Sequence, residues 1–405
     1  MSDFLQSGTI TTLHNLTERP VEDLEKQLAV WSQERPMCLV LPSLYSELEG
    51  EALPKILDEL EKVPYLRQII IGLDRADRDE YLKAREFFSR LPQDHQILWN
   101  DGPRLREVAK TLEEAGLADS APGKGRNVWY CMGYYLASDL CASLAVHDCD
   151  ILTYDRELLA RLFYPIAHPT FTYKFCKGYY YRAARGQLHG RVSRLLVTPL
   201  LRALESTVGA HPYIRYIDSF RYPLAGEFSM VWDMVHSMRI PSDWGLEIGI
   251  LSEARRLFSE QRICQVDIAD AYDHKHQPLS PEDLEQGLAR MSVHISTAFF
   301  RKLSIDGVVF DSGIFRTLKA TYYRKALDMV EQYSSDADYN DLSFDRHREE
   351  LAIEVFAEGL VRAGESFLEN PLETPFLPSW NRVVAAVPDI YERLRTAVAE
   401  DAAEA

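Results

Sequence analysis

Apolar positions in the first part of the chain fall into short solid runs, separated by longer stretches with a helical period. Met37-Cys38-Leu39-Val40-Leu41-Pro42 is one such run, and Gln68 to Leu73 and Gln96-Ile97-Leu98-Trp99 are two more. Solid runs of this length fit strands buried on both faces. Around them lie helical patterns over Val21 to Trp31, Ser46 to about Lys62, Asp77 to Arg90 and Arg104 to Ala115. The alternation continues with a helix from about Val128 to Leu140 and the apolar run Ser143-Leu144-Ala145-Val146. An aromatic strand follows within 171–181, then a helix from Gly190 to about Leu204 and a strand from Gln265 to Ala269. Strand and helix at short spacing predict an α/β fold, a mostly parallel sheet flanked by helices. From Pro281 onward the pattern is helical, clearest over 322–333 and 348–368, and only 397–405 looks frayed. The expected division is an α/β unit over 1–280 and a helical C-terminal region over 281–405, packed on it and carrying no chemistry.

Composition narrows the class. The 405 residues are 46% hydrophobic and 26% charged, a globular make-up long enough for a large core. A net charge of −17 argues against a nucleic-acid binder, because such proteins neutralise phosphates. Six cysteines show no CxxC or zinc spacing, and no leader-like apolar segment opens the chain, so a reducing cytoplasm is the expected setting. No apolar run nears the roughly 18 residues of a membrane span.

In open α/β sheets ligands bind at the carboxyl ends of the strands. Those ends carry Pro42-Ser43-Leu44-Tyr45, Leu73-Asp74, Asn100-Asp101 and His147-Asp148-Cys149-Asp150. Carboxylates are costly to bury unless paired or bound to a metal. Two residues apart on an extended chain, Asp148 and Asp150 point the same way about 6.8 Å from each other. Oxygens sharing one Mg²⁺ sit only about 4 Å apart. One acid is therefore expected on a metal and the other on what the metal holds. Enzymes that handle nucleoside diphosphate sugars use such an Asp-x-Asp; a plain turn is the alternative.

Other stretches keep two readings each. Gly123-Lys124-Gly125 allows close backbone approach to an anion before the 128–140 helix, or is a flexible loop. Gly190-Arg191-Val192-Ser193-Arg194 suits a phosphate or carboxylate at a helix start, or is a solvated basic turn. Glu227 and Glu247 follow glycine-containing segments and either serve chemistry or begin helices. His274 and His276 lie on one side of a strand end, as metal ligands or surface residues.

In this order, Leu41-Pro42-Ser43-Leu44, Gly123-Lys124-Gly125, Asp148-Cys149-Asp150, Gly190-Arg191-Val192-Ser193, Leu224-Ala225-Gly226-Glu227, Gly245-Leu246-Glu247-Ile248-Gly249 and the His274 loop form one series. The series resembles the retaining GT-A glycosyltransferases of the glucosyl-3-phosphoglycerate synthase family. The resemblance implies a Rossmann-like GT-A fold and transfer of glucose from an NDP-glucose donor to the 2-hydroxyl of 3-phosphoglycerate. By the same resemblance Pro42, Leu44, Asp74, Lys124, Asp148, Leu224 and Ala225 would bind the nucleotide sugar. Asp150 and His274 would bind a divalent metal, Mg or Mn. Gly190, Arg191, Val192, Ser193 and His276 would hold the acceptor, with Glu247 and Asp150 in catalytic roles. No nucleic acid or membrane partner is expected, and the assembly is expected to be a homodimer. The better-known actinobacterial pattern has Asp-Ser-Gly-Ser where this chain has Leu73-Asp74-Arg75-Ala76, which leaves the donor base open. Alternatives are a GDP-mannose-dependent mannosyl-3-phosphoglycerate synthase and a silent sugar-nucleotide-binding protein.

Overall fold

The solid apolar runs lie side by side at the middle of an eight-stranded sheet. The computed structural model describes residues 6, 8–17, 19–118, 122–274, 279, 286–371 and 376–404. The strands are β1 (Thr11–Leu13), β2 (Met37–Leu44), β3 (Leu66–Asp74), β4 (Asp94–Trp99), β5 (Ser143–Val146), β6 (Phe175–Tyr180), β7 (Phe228–Val231) and β8 (Ile263–Ala269). Their spatial order is β1-β8-β6-β7-β5-β2-β3-β4. All neighbours are parallel except β7, which runs antiparallel to both β5 and β6.

Alternation along each strand explains why the runs are solid. In β2, Cys38 and Val40 face one core while Met37, Leu39 and Leu41 face the other. Both faces are covered, so both favour apolar residues. Pro42 sits inside a central strand without breaking it, because the pairing of β2 with β5 ends at Val40 and only β3 accompanies Pro42.

Several expected boundaries move. The stretch from Ser46 to Lys62 is two helices, Tyr45–Leu48 and Ala52–Leu60, parted at Gly50. The helix expected from Val128 begins at Lys124 and ends at Ser138, so Lys124 lies in its first turn. The Gly190 helix opens as a π-helical turn over Val192–Val197 and continues as Thr198–Val208. Glu227 begins no helix; it leads directly into β7.

The C-terminal helices Gly287–Ile305, Ser312–Tyr339, Arg346–Glu369, Trp380–Ala386 and Ile390–Glu404 share the core beneath one sheet face, which runs from Val40 and Val128 to Tyr322, Phe356 and Trp380. Trp380 is buried and stacks on Trp129 with ring centroids 4.2 Å apart. The stretch expected to fray, 397–405, is helical to Glu404. Its buried Asp401 caps the Pro103–Glu114 helix by accepting Arg104 N–H at 3.0 Å and Leu105 N–H at 3.2 Å. That helix has no side-chain cap of its own, so the carboxylate fills a vacant role. All six cysteines are buried and unpaired. Among the described residues no helix is long and apolar enough to cross a membrane.

Because Trp380 completes the core of the sheet, Trp380→Ala is expected to destabilise the whole chain by about 3–5 kcal/mol. The check is urea unfolding followed at both ends of the chain. A sheet that keeps its wild-type midpoint would show the C-terminal helices to be a separate unit.

Candidate functional site

The Asp148–Asp150 stretch lies just past β5, with a bend at Cys149. Antiparallel β7 enters the sheet beside it, Phe228 pairing with Val146. This register is why Leu224-Ala225-Gly226-Glu227, far away in sequence, sits against the acids. A Cβ on Gly226 would lie 2.5 Å from Asp148 Oδ2, so only glycine admits the carboxylate there.

Lys124 joins two carboxylates. Its Nζ is 2.6 Å from Asp148 Oδ1 and 3.2 Å from Glu247 Oε1. Burial disfavours the lysine's charge, but Asp148 and Glu247 outweigh it and hold the pKa above the ordinary range. Burial likewise works against the Asp148 charge, and Lys124 more than reverses this, leaving its pKa below the usual value. Glu247 lies in the first turn of the Leu246–Leu257 helix, so it begins a helix, and its side chain meets Lys124. The glycine beside Lys124 has a different role from the anion approach expected of it. A Cβ on Gly125 would lie 2.0 Å from Pro241 O, so the close approach is to the 241–242 backbone.

Asp150 has another environment. Its Oδ2 is 3.4 Å from His274 Nδ1, while its buried Oδ1 accepts no hydrogen bond. The His274 loop is clipped to this place by its backbone. Ile151 and His274 form an antiparallel bridge, Leu152 N–H donates to Asp273 O at 2.9 Å, and Asp273 N–H donates to Thr153 Oγ1 at 3.1 Å. A carboxylate oxygen without a partner beside an imidazole fits a divalent cation. Among the described residues no group of three or more His, Cys, Asp or Glu forms a full cage. Phosphate oxygens and water would complete such a shell, as is usual for Mg²⁺.

The other expected residues fall into two sets. Pro42 and Leu44 are both half-buried and, two apart on β2, share a face; Leu44 is in register with Asp74. Asp74 is buried, accepts from Asn100 Nδ2 at 2.8 Å and lies 3.5 Å from Arg126; burial raises its pKa. The first turn of the Lys124–Ser138 helix links this set to the acids, through Arg126 on Asp74 and Asn127 Nδ2 on Gly72 O at 2.9 Å. Leu224 is half-buried and Ala225 buried. In the second set, Arg191 Nε donates to Glu349 Oε1 at 2.6 Å, and Arg194 Nη2 to Glu349 Oε2 at 2.8 Å. Gly190 opens this turn, and Val192 and Ser193 are buried within it. Arg185 Nε, 3.1 Å from Asp273 Oδ2, ties the hairpin before Gly190 to the His274 loop. His276 lies outside the described residues.

A glucosyl-3-phosphoglycerate synthase of Persephonella marina is 45% identical over 401 residues, 99% of each chain. One of Methanococcoides burtonii is 38% identical over 407 residues, 99% of this chain and 98% of the relative. The chain belongs to the glucosyl-3-phosphoglycerate synthase family. Membership of the glucosyl-3-phosphoglycerate synthase family is what the ordered motifs implied. A solved Mycobacterium tuberculosis glucosyl-3-phosphoglycerate synthase with Mn²⁺ and UDP-glucose has a TM-score of 0.54 at 20% identity, over 76% of this chain and 90% of its own. A mannosyl-3-phosphoglycerate synthase of Rubrobacter xylanophilus has a TM-score of 0.52 at 20% identity, over 72% and 85%. At that identity the two structures speak for the GT-A fold alone. No protein-family model matches the sequence.

Two residues of this site, Lys177 and Glu349, escaped the sequence reading, and Glu227, which it named, lacked its partners there. Glu227, fully buried, accepts from Tyr180 OH at 2.8 Å and Tyr272 OH at 2.7 Å, and the two rings stack. It thereby pins Tyr272, two residues before His274; burial and then Asp148 raise its pKa. Lys177 is the one charge within β6, but the aromatic stretch read from the sequence also holds Lys174, so it stood out little. It is fully buried and donates to Ala225 O. Glu349, from the helical region, gave no signal.

Burial pushes Lys177 down from 10.5 to about 8, against the opposing pull of Glu247 and Glu227. Between these values the unfolded chain binds the proton more tightly than the folded one. Stability from this residue therefore rises with pH across that window, by at most about 1.4 kcal/mol per unit. Unfolding free energies measured at pH 8 and pH 10 are expected to show this slope in the wild type and lose it in Lys177→Met. Equal slopes would mean that Lys177 titrates as an exposed lysine.

Proposed function

We propose that this protein transfers glucose from an NDP-glucose to the 2-hydroxyl of 3-phosphoglycerate with retained configuration, giving glucosyl-3-phosphoglycerate. The observation that carries the reading is the division of the two acids, Asp148 held by Lys124 and Asp150 left with a bare oxygen beside His274. Membership of the family supports the same chemistry.

Pro42, Leu44 and Asp74 take the nucleoside, with Asp148 and Lys124 toward the ribose and diphosphate. Asp150 and His274 would hold Mg or Mn. Bound there, the metal would neutralise the departing diphosphate. Leu224, Ala225 and Glu247 face the donor sugar, and the Glu247 carboxylate stabilises positive charge growing at the anomeric carbon. Arg191 and Ser193, with Gly190, Val192 and His276, hold the acceptor's anionic groups. The acceptor hydroxyl attacks from the face the diphosphate leaves, and the leaving oxygen takes its proton. No carboxylate of the chain then has to act as nucleophile. A 1–280 catalytic unit, a homodimer and a cytoplasmic setting belong to this proposal.

A panel of NDP-glucoses and GDP-mannose, assayed with 3-phosphoglycerate, Mg²⁺ and product identification, tests it. The expected product is glucosyl-3-phosphoglycerate; mannosyl product alone, or none, would refute the reading. Asp150→Ala and His274→Ala are expected to remove turnover while keeping the wild-type circular dichroism. Near-normal turnover in either would refute the metal assignment.

A further inference from the structure

We infer that Glu349, on the Arg346–Glu369 helix of the C-terminal region, is a positioning residue for the acceptor, acting through Arg191 and Arg194. The inference rests on the functional reading above. Glu349 is only 3% exposed, and a carboxylate so buried needs partners. It has two, taking Arg191 through Nε and Arg194 through Nη2.

The choice of atoms matters. On Arg191 the carboxylate engages Nε and leaves the two terminal nitrogens for another ligand. On Arg194, Nε donates to His189 O at 2.8 Å and Nη2 to Glu349, while the buried Nη1 makes no hydrogen bond. Ser193 Oγ in the same turn is also buried without a partner. Two guanidinium groups against one carboxylate leave one positive charge in excess. An anion bearing phosphate and carboxylate, such as 3-phosphoglycerate, supplies the oxygens that these donors lack.

The same helical region holds the turn in two more places. Tyr322 OH donates to Leu195 O at 2.6 Å, and Tyr333 lies under the Arg194 guanidinium at 4.7 Å. Helices of the C-terminal region thus set the shape of the Val192–Val197 turn, and Glu349 sets the direction of its arginines. A carboxylate competing with the acceptor would instead occupy the outer edge of Arg191.

The test is calorimetric binding of 3-phosphoglycerate alone, and of NDP-glucose with Mg²⁺, to wild type, Glu349→Gln and Arg191→Ala. The glutamine keeps the shape and loses the charge. The expected result is 3-phosphoglycerate binding weakened about tenfold or more in both variants, the loss of roughly one charge-assisted hydrogen bond. Donor binding should stay within about twofold, which a general structural defect would not spare. Unchanged or tighter 3-phosphoglycerate binding in Glu349→Gln, or equal loss of both ligands, overturns the inference while leaving the functional reading in place. Wild type that fails to bind 3-phosphoglycerate overturns both. Should the glutamine variant not fold, Glu349→Asp replaces it, with about threefold weakening expected and no change overturning the proposal.

Discussion

The site depends on how its carboxylates are held by one half-buried lysine, Lys124. Asp148, Asp150, Glu227 and Glu247 gather where β5 ends and β7 begins, and Lys124 pairs with two of them at once. Without it, at least one of these acids would take up a proton rather than keep a buried charge. Glu227 is relieved differently, by two phenol hydroxyls, which ties the Tyr272–His274 segment to the same place. Asp150 keeps an oxygen without a hydrogen bond, and on the proposed function that oxygen takes the cation.

Topology delivers these groups. The single antiparallel strand carries residues 224–227 to the acids, and the short backbone bridge at Ile151 returns residue 274 from beyond β8. The first turn of one helix serves three purposes, placing Lys124 on the acids, Arg126 on Asp74 and Asn127 on the β3 backbone. The C-terminal helices add Glu349 behind the arginines and Asp401 over a helix start, so this region is built into the molecule at both ends.

The sheet was legible because strands covered on both faces are mostly apolar, as residues 37–42 of β2 and 69–73 of β3 are. β7 escaped because four residues including a buried Ser229 carry no readable period, and the serine is satisfied only in three dimensions, by Leu162 O. The first turn of the Lys124–Ser138 helix was missed because its glycines read as loop; their small size in fact admits the 241–242 backbone. Asp148, Asp150 and Glu247 could be picked out as acids at strand ends or after glycines. Their partners could not, since Lys124 meets Asp148 and Glu247 only through the fold. Glu349 was invisible because an acid in a polar helical stretch looks solvated until its helix packs. The frayed reading of 397–405 failed for the same reason, as Asp401 is buried only against a distant helix.

The division of labour between the two acids is tested most directly by electron paramagnetic resonance of Mn²⁺ titrated into the protein with UDP. The account predicts that Asp150→Asn loses the protein-bound Mn²⁺ signal, while Asp148→Asn keeps it and binds UDP more weakly. Loss of the bound signal in Asp148→Asn with retention in Asp150→Asn would contradict it.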